Sequence, residues 1–99
     1  MNSLSICIPR VFINIPKNKI KSVFQNLKIG NIERIDTIYN NSKSSRFYRV
    51  FIHFNTLYNT KNSIKIFNIL NNNDDATFKV IYDNPWFWKC SKSRIPKPK

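Results

Sequence analysis

Acidic side chains are scarce in this chain. Glu33, Asp36, Asp74, Asp75 and Asp83 stand against seventeen lysines and arginines, which leaves a formal net charge of +12 over 99 residues. No Ser, His, Asp grouping can be drawn from the spacing, and Asp74 and Asp75 fall in a turn, so general acid–base chemistry has few candidates and an enzyme is not expected. Histidine occurs once, at His53, and cysteine twice, at Cys7 and Cys90. No zinc-ligand spacing follows from these, and neither a metal nor another cofactor is expected. The two cysteines permit a Cys7–Cys90 disulfide, but with no secretory signal two free thiols in a reducing compartment are the expectation. Glycine occurs once, at Gly30, which excludes a Gly-rich phosphate-binding loop. No apolar run approaches the ~20 residues that cross a bilayer, and the first residues lack a basic segment followed by a long apolar one. An intracellular protein without a membrane partner is expected.

What is present is enough for one domain. A hydrophobic fraction of 41% and an aromatic fraction of 14% belong to a globular chain. At this length it buries roughly two thirds of its unfolded surface and folds without staples. A monomer is expected. The excess of basic side chains makes the surface potential positive almost wherever the core lies, so polyanions are the natural partners, nucleic acid first.

Leu4, Ile6 and Ile8 alternate as a first strand, which Pro9 is expected to end because it cannot donate to a ladder. Between Lys17 and Lys28, the residues Ile20, Val23, Phe24 and Leu27 share one helical face, and Gly30 is a natural stop. Ile32 to Tyr39 forms a second strand before the polar loop NNSKSS. The third strand, Phe47 to Phe54, holds the clearest signal. Because strand side chains alternate between faces, Val50, Ile52 and Phe54 point into a core while Arg49, Phe51 and His53 point outward together. Thr60 caps a second helix with Ile64, Phe67 and Leu70 on its face. After NNNDD, Thr77 to Tyr82 is a fourth strand that continues through Pro85 into Trp86, Phe87 and Trp88. The organisation predicted is a domain over 1–90 and a basic, flexible tail over 91–99.

This order predicts an α+β fold: a single four-stranded antiparallel sheet with two helices on one face, the βαββαβ, ferredoxin-like arrangement, with the first and third strands central. The other face is left open.

The element order and the third strand resemble the RNA recognition motif family, which stacks bases on its two central strands. In that family the third-strand pattern runs basic, Gly, aromatic, small, aromatic, aliphatic, any, aromatic. Phe54 matches the last position, Ile52 the aliphatic one and Phe51 the second stacking ring; Arg49 stands in place of the first ring and Tyr48 in place of Gly. The first-strand motif admits two registers. VFINIP, Val11 to Pro16, puts Phe12 at the aromatic position but leaves almost no chain before the helix. ICIPRV, Ile6 to Val11, keeps a normal distance to the helix and is preferred; it turns Ile6 and Ile8 to the core, sets Cys7 at the ring position and drops Phe12 into the following loop as a core plug. More narrowly, the blocks ICIPRVF, GNIERID, RVFIHF and IYDNPWFWK resemble those of small uncharacterised proteins of this motif type encoded by large DNA viruses. That resemblance implies a host cytoplasmic, nuclear or virion location, and no reaction.

The function expected is a non-enzymatic nucleic-acid-binding module that favours single-stranded RNA. Its candidate site is Cys7, Arg49 and Phe51 on the open face, flanked by Arg10 and His53. Trp86 and Trp88 form an aromatic wall, and Lys89, Lys92, Arg94, Lys97 and Lys99 follow the phosphate backbone. One of the two tryptophans is expected to close the core edge. The alternative is a protein-interaction or genome-packaging component that docks a partner through Trp86, Phe87 and Trp88 and meets nucleic acid only by nonspecific charge.

Overall fold

The computed structural model describes residues 4–39, 46–72 and 75–93. Its elements run β1 (Leu4–Phe12), α1 (Lys17–Asn26), β2 (Gly30–Tyr39), β3 (Phe47–Leu57), α2 (Lys61–Asn72), β4 (Thr77–Asp83) and β5 (Trp86–Lys92). The strands make one antiparallel sheet in the order β2-β3-β1-β5-β4. The α+β class therefore stands, but the four-stranded βαββαβ arrangement does not: the sheet has five strands. The difference lies in the aromatic segment. Pro85 follows a cis peptide bond in the turn after Asp83, and the chain doubles back so that Trp88 pairs with Val80 and Ser91 with both Thr77 and Cys7. The segment expected to extend the fourth strand thus becomes a separate strand between β4 and β1.

Alternation explains the core. Ile6, Ile8, Val50, Ile52, Phe54, Val80, Trp88 and Cys90 turn to one face of the sheet and meet Ile20 and Phe24 of α1 and Ile66 and Leu70 of α2. Trp88 lies between Phe24 and Tyr82, with both rings nearly parallel to it at 6.1 and 4.3 Å. That contact makes β5 part of the core.

Pro9 does not end β1. The pairing Ile8↔Val50 resumes as Val11↔Tyr48, so Pro9 and Arg10 together oppose Arg49 in a β-bulge. The bulge accommodates the residue that cannot donate, and it changes the alternation. Val11 is buried, while Phe12 is paired with Phe47 and exposed instead of plugging the core from a loop.

Gly30 does not cap α1 either. The left-handed position falls on Lys28, at φ 56°, and Gly30 begins β2, where a Cβ would run into the Thr56 carbonyl oxygen. Its lack of a side chain permits close strand approach. Thr60 caps α2 as expected, its Oγ1 accepting from Ser63 N at 3.1 Å and donating to the Lys28 carbonyl at 2.7 Å. Asn62 Nδ2 donates to the Leu27 carbonyl at 3.1 Å. Pinned this way to the end of α1, α2 buries Ser63, Ile66 and Leu70, and Ile64 is exposed. The helix had two apolar faces on offer, and the pinning selects the one without Ile64. No helix among the described residues is long and apolar enough to cross a membrane.

Candidate nucleic-acid interface at the rim of the sheet

The face away from the helices is an ordered grid. Across it, Asp36, Phe51, Cys7 and Ser91 lie side by side on β2, β3, β1 and β5, and Arg34, His53 and Ser5 form the next row. Phe51 is absent from the core cluster but only 4% exposed, and His53 is 3% exposed. The ring expected to stack bases is thus shielded from solvent, and neither Trp86 nor Trp88 does the shielding. Trp88 is on the helix side and Trp86 meets Phe12.

His53 is held by both ring nitrogens. Ser5 Oγ lies 2.7 Å from Nδ1, and Asp36 Oδ2 lies 3.0 Å from Nε2. Arg34 Nε donates to the other Asp36 oxygen at 2.9 Å. A Ser, His, Asp grouping therefore does exist, though residues 5, 36 and 53 are too far apart in the chain to suggest it. Only the strand register shows it. Ser5 sits within a strand ladder, paired with His53, and its carbonyl accepts from Ser93 N at 2.8 Å. The three side chains form a hydrogen-bonded polar bridge across β1, β3 and β2.

Beside Phe51, Cys7 is half-buried; burial pushes its thiol above the ordinary range and the Arg49 charge offsets part of that. Cys90 belongs to the helix-side core, and burial pushes its thiol strongly upward. Both thiols are free. Among the described residues no group of three or more His, Cys, Asp or Glu side chains could hold a metal ion.

Apart from Tyr58, past the far end of β3, the exposed rings gather elsewhere, at the rim where β1 and β2 end and β3 and β5 begin. The ladder between β1 and β5 consists of Ile6↔Lys92 and Cys7↔Ser91. Beyond it come Pro9, which has no N–H to offer, and the bulge, and here a cleft of about 720 Å3 opens. Pro9, Arg10, Phe12 and Phe47 line one side of it, and Trp86, Phe87, Trp88 and Lys89 the other. Phe12 packs on Phe47 at 4.9 Å and meets Trp86 edge-on at 6.3 Å. Trp86 is 58% exposed and Phe87 45%, with Lys79 Nζ 4.7 Å above the Phe87 ring. A second cleft, of about 390 Å3, adjoins the first through Pro9, Arg10 and Phe47 and adds Arg49 and Tyr39.

The structure thus brings Arg10, Arg49, Trp86, Trp88 and Lys89 to one rim, with Trp88 as inner wall. It leaves Phe51 and His53 buried, Cys7 half-buried beside them, and Lys92 opposite Ile6, toward the other end of β5. Arg94, Lys97 and Lys99 lie outside the described residues. Sequence reasoning missed Phe12, Phe47 and Tyr39 as site residues and gave Phe87 a role only in docking a protein partner. The first-strand register that gave Phe12 an aromatic role did carry a signal, but a bulge after Ile8 cannot be read from alternation alone. No protein-family model, curated protein or solved structure matches this chain.

Proposed function

We propose that this protein is a non-enzymatic binding module for single-stranded nucleic acid, with RNA the favoured ligand, and that the strand crosses the Pro9–Arg10 rim instead of the middle of the open face. One observation carries the reading: exposed Trp86 and Phe12 stand in edge contact on a cleft whose other lining includes Arg10 and Lys89. Solvent-exposed rings interleaved with cations suit bases that stack and phosphates that pair, with each stacked base contributing about 1–3 kcal/mol. A net charge of +12 draws any polyanion toward this surface. The preference for RNA over DNA rests on the sequence resemblance of Phe51, Ile52 and Phe54 to the third-strand pattern of the RNA recognition motif, not on the sheet, whose order differs.

Fluorescence anisotropy with labelled single-stranded RNA, single-stranded DNA and duplex DNA of equal length, at low and high salt, tests this. Preference for single strands that persists at high salt and falls roughly tenfold in Trp86→Ala supports it. Equal binding to all three that disappears with salt overturns it and leaves attraction by charge alone, as in a packaging component. Protein docking would instead use Ile81 and Phe87, an exposed cross-strand pair on β4 and β5.

A further inference from the structure

The two clefts share Pro9, Arg10 and Phe47 and otherwise have separate linings. The bulge is the ridge between them. With two residues opposing Arg49 alone, it carries Arg10 outward into solvent, at a place that borders both cavities. Each side of the ridge has its own ring and its own cation. On the smaller side Tyr39, 59% exposed and stacked on Tyr48 at 4.9 Å and 13°, stands with Arg49. On the larger side Trp86 stands with Lys89. Trp88 also lines the larger cleft, with its ring only 2% exposed and Nε1 closed to solvent.

We propose that the clefts are two subsites on one track, each for a stretch of about two nucleotides, with Arg10 on the bulge between them holding the phosphate that joins the stretches, so that tight binding requires a single strand long enough to fill both. This rests on the single-strand reading above and adds a division of labour. The larger cleft takes the first stretch, and the Tyr39 subsite contributes only when the strand reaches it. A track of this kind sits at the low end of single-strand site sizes, roughly four nucleotides.

The test is anisotropy competition with RNA and DNA oligonucleotides of increasing length, from dinucleotides upward, on the full chain and on Trp86→Ala, Tyr39→Ala and Arg10→Ala. Tyr39 and Trp86 are more than half exposed, so these variants keep the core, and matching thermal melts confirm that. Trp86→Ala should weaken every length about tenfold. Tyr39→Ala should leave dinucleotides unchanged and weaken longer strands about tenfold, and Arg10→Ala, at a residue that lines both clefts, should weaken every length and the longer strands most. Long strands that bind but ignore Tyr39→Ala, or dinucleotides that feel it as strongly as long ones, overturn the two-subsite arrangement while the single-strand reading stands. Absence of binding at every length overturns the single-strand reading itself.

Discussion

His53 Nε2 lies 3.0 Å from Asp36 Oδ2, and the imidazole that makes this contact is all but closed to water. A buried ring with two polar nitrogens is tolerable only if both are paired, and Ser5 supplies the second partner. Three strands are thereby tied across two adjacent rows of the sheet. Replacing His53 with alanine removes the shared partner of Ser5 and Asp36 and opens a cavity, and we expect it to lower stability by about 2–3 kcal/mol. Asp36→Asn keeps a hydrogen bond but weakens the Arg34 contact, and about 1 kcal/mol is expected. Urea unfolding measures both. Single-strand affinity of the folded variants should be unchanged; a tenfold loss in either would place the network in the binding site.

Phe51 and Trp86 separate stability from binding. Phe51 is buried and Trp86 exposed, so Phe51→Ala should lower stability by about 3 kcal/mol or more and Trp86→Ala by less than about 0.5 kcal/mol. In an anisotropy titration under conditions where both variants are folded, only Trp86→Ala should lose affinity. The reverse pattern would return the site to the middle of the sheet.

Lys28 and Gly30 should respond in opposite directions. Lys28 occupies a left-handed conformation that disfavours L-residues by roughly 1–2 kcal/mol, so Lys28→Gly should raise stability by about 0.5–1 kcal/mol after the added chain entropy of glycine. Gly30→Ala forces a Cβ against the Thr56 carbonyl, and a loss of about 2 kcal/mol or more is expected from the separation of β2 and β3. Thermal melts of the two single variants decide it.

Alkaline pH should destabilise the fold. Burial raises the Cys90 thiol above its ordinary value of 9.0, and burial, helped by neighbouring Tyr39 and Asp83 respectively, raises the Tyr48 and Tyr82 phenols above 10.0. In each case the folded state keeps its proton longer than the unfolded chain does. The stability so contributed is whole below about pH 9 and is lost as pH climbs through the folded-state values. The urea midpoint should be level between neutral pH and pH 8.5 and fall steadily above it. Cys90→Ala should shift the whole curve down and flatten the alkaline fall; an unchanged slope would show that Cys90 is not its source.

Short-range chemistry was enough to locate α1, β2, β3 and β4, the Thr60 cap and the inward set Val50, Ile52 and Phe54, because period and capping are set by neighbours along the chain. It was also enough to mark Trp86 and Trp88 as a pair needing burial for at least one ring, which Trp88 meets. It could not show that β5 is a strand of its own, because the cue is pairing with Val80 on one side and Cys7 on the other, residues that only the fold brings near. The site was harder still. Arg10, Arg49, Tyr39, Phe12 and Trp86 lie on four strands and meet only because a bulge at Pro9 shifts the alternation and the turn at Pro85 reverses the chain. Local sequence determined which residues form helix and strand and which face each prefers; the register between strands, a long-range outcome of packing, decided that Phe51 and His53 are enclosed while the rim carries most of the exposed rings.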